Sequence, residues 1–220
     1  MTPEQALAIF RLDMNDTEPT YLWEDSELYR YLDDAQKNFC RWTDGINDAS
    51  TTDVCAVPIA VDADWLDLHP SILKVRGATL RSTGAKVDLI SYEDMATYGF
   101  RFDGTKGPVR RLVVGLEEDR VRCHPIASVA DTLDLVVFRL PLQTVSEDTA
   151  TDELEIPDRH HLALQLWMKS MAYSKQDSET LDRNKAVEFE NKFRAYCAAA
   201  KLEQQNKKRH KPRTVAYGGL

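Results

Sequence analysis

Residues 26–43 read SELYRYLDDAQKNFCRWT. Leu28, Leu32, Ala35, Phe39 and Trp42 recur at intervals of 4, 3, 4 and 3, one unbroken apolar stripe on an α-helix whose other faces carry Asp33, Asp34, Gln36 and Lys37. Such a helix is wet on one side and requires a packing partner on the other. Asp25, just after Tyr21-Leu22-Trp23, stands where a cap is needed. Upstream, Thr2-Pro3-Glu4-Gln5 joins a capping hydroxyl, a first-turn proline and a glutamine at capping-box spacing. A short helix to about Leu12 follows, then the turn-rich connector MNDTEPTY.

Helical spacing returns near the other end. In LEIPDRHHLALQLWMKSMAY (154–173), Pro157 or Asp158 opens a helix that buries Leu164, Trp167, Met168 and Met171. QDSETLD makes a turn with Asp182 as cap, and the next helix puts Ala186, Phe189, Phe193, Tyr196 or Cys197, and Ala200 on one face. Two helices joined by so short a turn form an antiparallel αα-hairpin. The N-terminal stripe then packs on this hairpin, with a core of Leu28, Leu32, Phe39, Trp42, Leu164, Trp167, Met171, Phe189 and Phe193.

Between these ends the period becomes β-like. VCAVPIAV, SILKVRGATL, AKVDLIS, VRRLVVGL, DRVRCHP and TLDLVVFRL are short, rich in β-branched residues and bounded by turns. Ser82-Thr83-Gly84-Ala85 and Glu117-Glu118-Asp119 each join two such runs as a hairpin. With no crossover helix in view, an antiparallel sheet is expected. The expected fold is therefore α+β and mainly α: a helical bundle formed by the N- and C-terminal helices, with an antiparallel β-sheet insertion and a flexible C-terminal tail. Its divisions are residues 1–50 (N-terminal helices), 51–145 (β insertion), 146–202 (C-terminal αα-hairpin) and 203–220 (basic tail).

At 220 residues and 43% hydrophobic composition the chain can bury a substantial core. No apolar run approaches the roughly 20 residues of a membrane span, and MTPEQALAIF lacks the features of a secretory signal, so a soluble protein made in a cytoplasm is expected. Cys40, Cys55, Cys123 and Cys197 lie far apart with no C-x-x-C, which predicts buried, reduced thiols. The net charge is −8, and the last twenty residues hold six Lys or Arg against one Glu, so a tail of +5 leaves −13 on residues 1–200. An acidic body is a poor reader of nucleic acid.

Little points to chemistry. His160 and His161 project about 100° apart on a helix and cannot readily share an ion. GFRFDGTKG (99–107) lacks the G-K-S or G-K-T of a phosphate loop and reads as a β-loop. Neither G-x-S-x-G nor H-E-x-x-H occurs. The pairs Asp33-Asp34 and Glu117-Glu118 read as solvated charge. No catalytic residue, metal ligand or cofactor is expected.

The words YLWEDSELYRYLDDAQKNFCR (21–41) and EIPDRHHLALQLWMKSMAYSKQDSETLDRNKAVEFENKF (155–193) resemble the head-to-tail adaptor (connector) proteins of tailed bacteriophages, over about residues 3–200. Glu24 stands where that pattern has a hydroxyl residue, and the basic extension has no counterpart in it. The resemblance implies a structural virion protein of the neck, between head and tail. It would form a ring, typically a dodecamer, under the portal, extending the DNA channel, helping to retain packaged DNA and offering a platform for tail attachment. Implied partners are the portal protein, neighbouring adaptor subunits, tail or nozzle proteins, and double-stranded DNA that passes without sequence-specific binding. No membrane is involved, and synthesis is in the host cytoplasm.

Within that role the tail is the candidate docking element for the portal or a neighbouring subunit, through Lys207, Lys208, Arg209, Lys211, Arg213, Val215 and Tyr217. A basic run followed by Val215 and Tyr217 suits an acidic groove that ends in an apolar pocket. Two other classes compete: a nucleic-acid-binding protein acting through KKRHKPR (207–213), and a metal-dependent hydrolase using His124, His160 and His161.

Overall fold

The computed structural model of the protein describes residues 1–98, 102–177 and 180–208. Helix α1 (Pro3–Met14) starts on the expected capping box: the Gln5 N–H donates to Thr2 Oγ1 at 3.3 Å, and the Thr2 N–H to Gln5 Oε1 at 3.1 Å. Helix α2 (Asp25–Thr43) starts one residue before the expected position. Glu24 caps it, and its N–H donates to Glu27 Oε2.

Strands β1 (Ile46–Asp48), β2 (Ala56–Ile59), β3 (Trp65–Asp67), β4 (Ile72–Leu80) and β5 (Lys86–Ser91) come next, with the one-turn helix α3 (Thr52–Cys55) leading into β2. Helix α4 (Tyr92–Tyr98) follows β5, and then come β6 (Lys106–Gly107), β7 (Arg111–Glu117), β8 (Arg120–His124), β9 (Ile126–Ala127) and β10 (Asp131–Arg139). Helices α5 (His161–Ser174) and α6 (Arg183–Lys208) complete the described chain.

Eight of these strands form one sheet in the order β1-β10-β4-β5-β7-β8-β3, with β2 on the same edge of β10 as β1. The two expected hairpins are present as β4–β5 and β7–β8. The sheet curls until β2 and β3, at opposite ends of the strand order, touch. Inside the curl Val87, Leu112, Val121, Leu133, Leu135 and Val137 are at most 1% exposed, a core separate from that of the helices.

The expectation of a mainly α bundle with an antiparallel insertion is thus overturned. The molecule is mixed α/β, with a large curled sheet that builds its own core. Nor is the sheet purely antiparallel, since β5 and β7 pair in parallel; β6 and β9 also pair in parallel, in a separate two-stranded sheet. The crossover absent from the sequence reading is residues 92–110, which are long enough to carry the chain to a parallel strand although the helix among them, α4, is short.

The helical core gathers both ends of the chain. Leu28, Leu32, Phe39, Leu164 and Phe193 are 0–3% exposed in one cluster with Phe10 and Trp23, and Trp42, Trp167 and Met171 pack against it half-buried. Phe189 lies outside this cluster, stacked on Tyr173 at 5.9 Å. Asp182 caps α6 by accepting from the Asn184 and Lys185 N–H groups. That helix continues through residues 203–208, counted in the sequence as tail, where Lys207 pairs with Glu203 one turn back.

Candidate functional site

Where sheet meets helices, a single guanidinium joins three segments. Arg139, the last residue of β10 and 7% exposed, donates from Nε to Asp48 Oδ2 and from Nη1 to Glu155 Oε2, each at 2.6 Å. Asp48 ends β1 and also accepts from the Ser50 N–H, the Thr51 N–H and Thr51 Oγ1. Glu155 takes the Leu142 and Gln143 N–H groups on its other oxygen. Burial alone would raise the Asp48 carboxyl, but the Thr51, Ser50 and Arg139 donors outweigh it and hold the group well below the usual carboxylate range.

Beside this junction lies an open groove of about 330 Å³. Phe39, Ile46, Phe138, Ile156 and Pro157 give it apolar walls, with Arg76, Arg159 and Lys207 among the polar groups around them. Lys207 stands in the last turn of α6, and Glu155 of the junction also lines the groove.

The histidines are structural. Both are 2% exposed. Arg159 Nε donates to His160 Nε2 at 3.1 Å, which leaves the proton on Nδ1, 3.0 Å from Tyr196 Oη, and that hydroxyl donates in turn to Arg159 O. Burial, then the Arg159 charge, pushes the His160 pKa down and keeps the ring neutral. His161 Nε2 bonds Ile156 O. No cluster of metal-ligating side chains occurs among the described residues; His124 ends β8, whereas His160 and His161 stand at the start of α5.

Asp33 and Asp34 are not the solvated charges expected. Asp33 accepts from the Val145 N–H and Lys37, and Asp34 accepts from Trp167 Nε1 at 2.7 Å, so both tie α2 to segments around it. Glu117 and Glu118 are exposed at the β7–β8 turn. Lys106 of the β-loop pairs with Asp62 at 2.7 Å. All four cysteines are free and buried, and burial pushes the Cys40, Cys123 and Cys197 thiols up to about 12. Of the candidate docking residues, Lys207 and the backbone of residue 208 close α6, while Arg209, Lys211, Arg213, Val215 and Tyr217 lie outside the described residues. No helix among the described residues is long and apolar enough to cross a membrane.

The Asp48–Arg139–Glu155 network escaped the sequence reading because an arginine at a strand end and an aspartate in a turn look solvated. Its one legible trace is Asp48-Ala49-Ser50-Thr51, the spacing of an aspartate that collects backbone N–H groups in a turn.

These buried polar groups join segments of the chain to one another. The model of the family described as SU10 adaptor protein matches residues 1–216, and the chain belongs to that family of phage head-to-tail adaptors. It is a structural phage protein of the head–tail junction, whose family implies contact with portal and tail components. No curated protein matches the chain.

Proposed function

We propose that the protein is the subunit of a ring, of twelve copies, seated between portal and tail, where it extends the DNA channel, helps to retain packaged DNA and provides the platform for the tail. The family match over residues 1–216 supports this reading. Charge distribution refines it. Residues 1–50 hold 4 Lys or Arg against 11 Asp or Glu, whereas residues 51–145 hold 11 against 13. Acid is concentrated in the helical part, which makes that part, rather than the sheet, the better channel wall, since repelled phosphates slide without sticking. Subunits are made in the host cytoplasm and join heads after packaging.

A net charge of −8 per chain opposes free association, so the isolated protein is expected to be a monomer that the portal templates into a ring. Light scattering at low salt checks this, and a stable ring without portal would contradict templating.

The tail is the docking element in this reading, through Lys207, Lys208, Arg209, Lys211, Arg213, Val215 and Tyr217. Deleting residues 209–220 is expected to leave the melting temperature of the free protein unchanged and to abolish stable attachment to DNA-filled heads. Truncated protein that joined heads and held DNA normally would overturn the docking role.

A further inference from the structure

The loop between α1 and α2, residues 15–24, is tied down yet leaves apolar side chains in water. Arg11, its side chain only 11% exposed, donates to Asp16 at 2.7 Å, to Trp23 O at 2.9 Å and to Asp25 at 2.5 Å, and its guanidinium lies 3.7 Å from the centre of the Tyr21 ring. Asp16 also accepts from the Leu22 N–H, and the buried Trp23 donates from Nε1 to Ala172 O. Held in this way, the loop presents Tyr21 and Leu22 at 44% and 40% exposure. Glu18 and Glu24 flank them in the chain, exposed and without an ion-pair partner among the described residues. A preorganised apolar pair loses little freedom on docking.

The groove beside the Asp48–Arg139–Glu155 junction has the complementary character: apolar walls, and two exposed guanidiniums that reach only neutral groups. Arg76 donates to Asn47 Oδ1 at 2.7 Å and lies over the Phe138 ring, and Arg159 donates to His160 Nε2. Glu155 is engaged by Arg139 and two backbone N–H groups, and Glu203 pairs with Lys207. Counting the lining together with the ions paired to it, Arg76, Arg139, Arg159 and Lys207 face Asp48, Glu155 and Glu203. The groove thus keeps a positive excess on an acidic body.

We propose that this groove receives Tyr21 and Leu22 of a second copy of the chain as the lateral contact of the ring, an assignment that deepens the ring reading and rests on it. Charge matches the two surfaces: Asp16, Glu18, Glu24 and Asp25 outnumber Arg11 in the loop, whereas the groove has the opposite excess. Tyr21 is the aromatic anchor, a residue type that dominates the energetics of interfaces. Loop and groove cannot meet within one subunit. The loop ends at Asp25, the start of α2, and the groove takes in Phe39 of the same helix, about 21 Å further along its axis. A contact between two different patches of one chain is heterologous, the kind that closes into rings, whereas a self-complementary patch stops at a dimer. Helix α2 then runs from one lateral face of the subunit toward the other.

Disulfide trapping on assembled heads tests this. Full-length chains carrying Leu22→Cys and chains carrying Gln204→Cys, in the groove lining, are mixed, attached to heads and mildly oxidised, the four native thiols being buried. Cross-linking between the two chains is expected at tenfold or more above a control pairing Leu22→Cys with Lys185→Cys, at the far end of α6. Adding Glu18→Arg and Glu24→Arg to the Leu22→Cys chain is expected to lower the yield at least tenfold. Adding Arg76→Glu and Lys207→Glu to the Gln204→Cys chain as well is expected to restore it to within threefold, and melting of the free proteins verifies that each variant folds. A ring seen by electron microscopy with cross-linking at control level overturns the contact and leaves the adaptor reading standing. Absence of any ring with unsubstituted protein overturns both. A yield indifferent to the charge reversals refutes the charge match, and cross-linking of Gln204→Cys to Val215→Cys in place of Leu22→Cys assigns the groove to the tail and refutes the loop.

Discussion

Arg139→Ala is expected to cost about 3–5 kcal/mol of folding stability, because it leaves two carboxylates at the sheet–helix junction without their shared cation. Asp48 is 6% exposed and cannot recover that loss by hydration, and Glu155 is shielded as well. Urea denaturation at neutral pH measures the cost; a loss below about 1 kcal/mol would mean that the junction is held by other contacts. Acid adds a second signature. Folding lowers the Asp48 carboxyl below its ordinary value of 3.8, so its contribution is complete above that pH and is lost as pH falls toward the folded value. Wild-type stability should therefore decline below about pH 4, and the decline should be shallower in Arg139→Ala, which has already lost one of the donors that lower the Asp48 pKa.

Trp42→Ala and Trp167→Ala are each expected to cost about 3–5 kcal/mol. The two indoles meet edge to face at 5.4 Å, and both contact Phe193, at 5.4 and 5.5 Å, so one aromatic cluster joins α2, α5 and α6. Trp167 also donates to Asp34, which its removal leaves without that partner. Because the rings touch, the double substitution should cost less than the two single costs added together. Thermal melts provide the check, and unchanged melting in both single variants would show that α2 does not depend on the C-terminal hairpin.

The helical part was largely legible because its signals are local. The 4-3-4-3 stripe of α2, the Thr2–Gln5 box and the Asp182 cap each lie within a turn or two of the helix they specify. Strands were legible one by one and as hairpins, for the same reason. Their assembly was not, since pairing of β1 and β10 spans about ninety residues, as in Ile46 with Arg139, and the parallel join of β5 to β7 is made across residues 92–110, which carry no long helical pattern. Phe189 shows the limit of periodicity: it keeps helical spacing with Phe193 yet stacks on Tyr173 at the rim. Asp33 and Asp34 show the converse, polar residues on the outer face of a stripe that the neighbouring segments later cover.

The ring reading is tested most directly by electron microscopy of the virion neck. A ring of twelve copies of this chain directly under the portal is expected, with the acidic helical part of each subunit facing the DNA channel. A neck without this chain, or one in which it forms no ring against the portal, would contradict the reading.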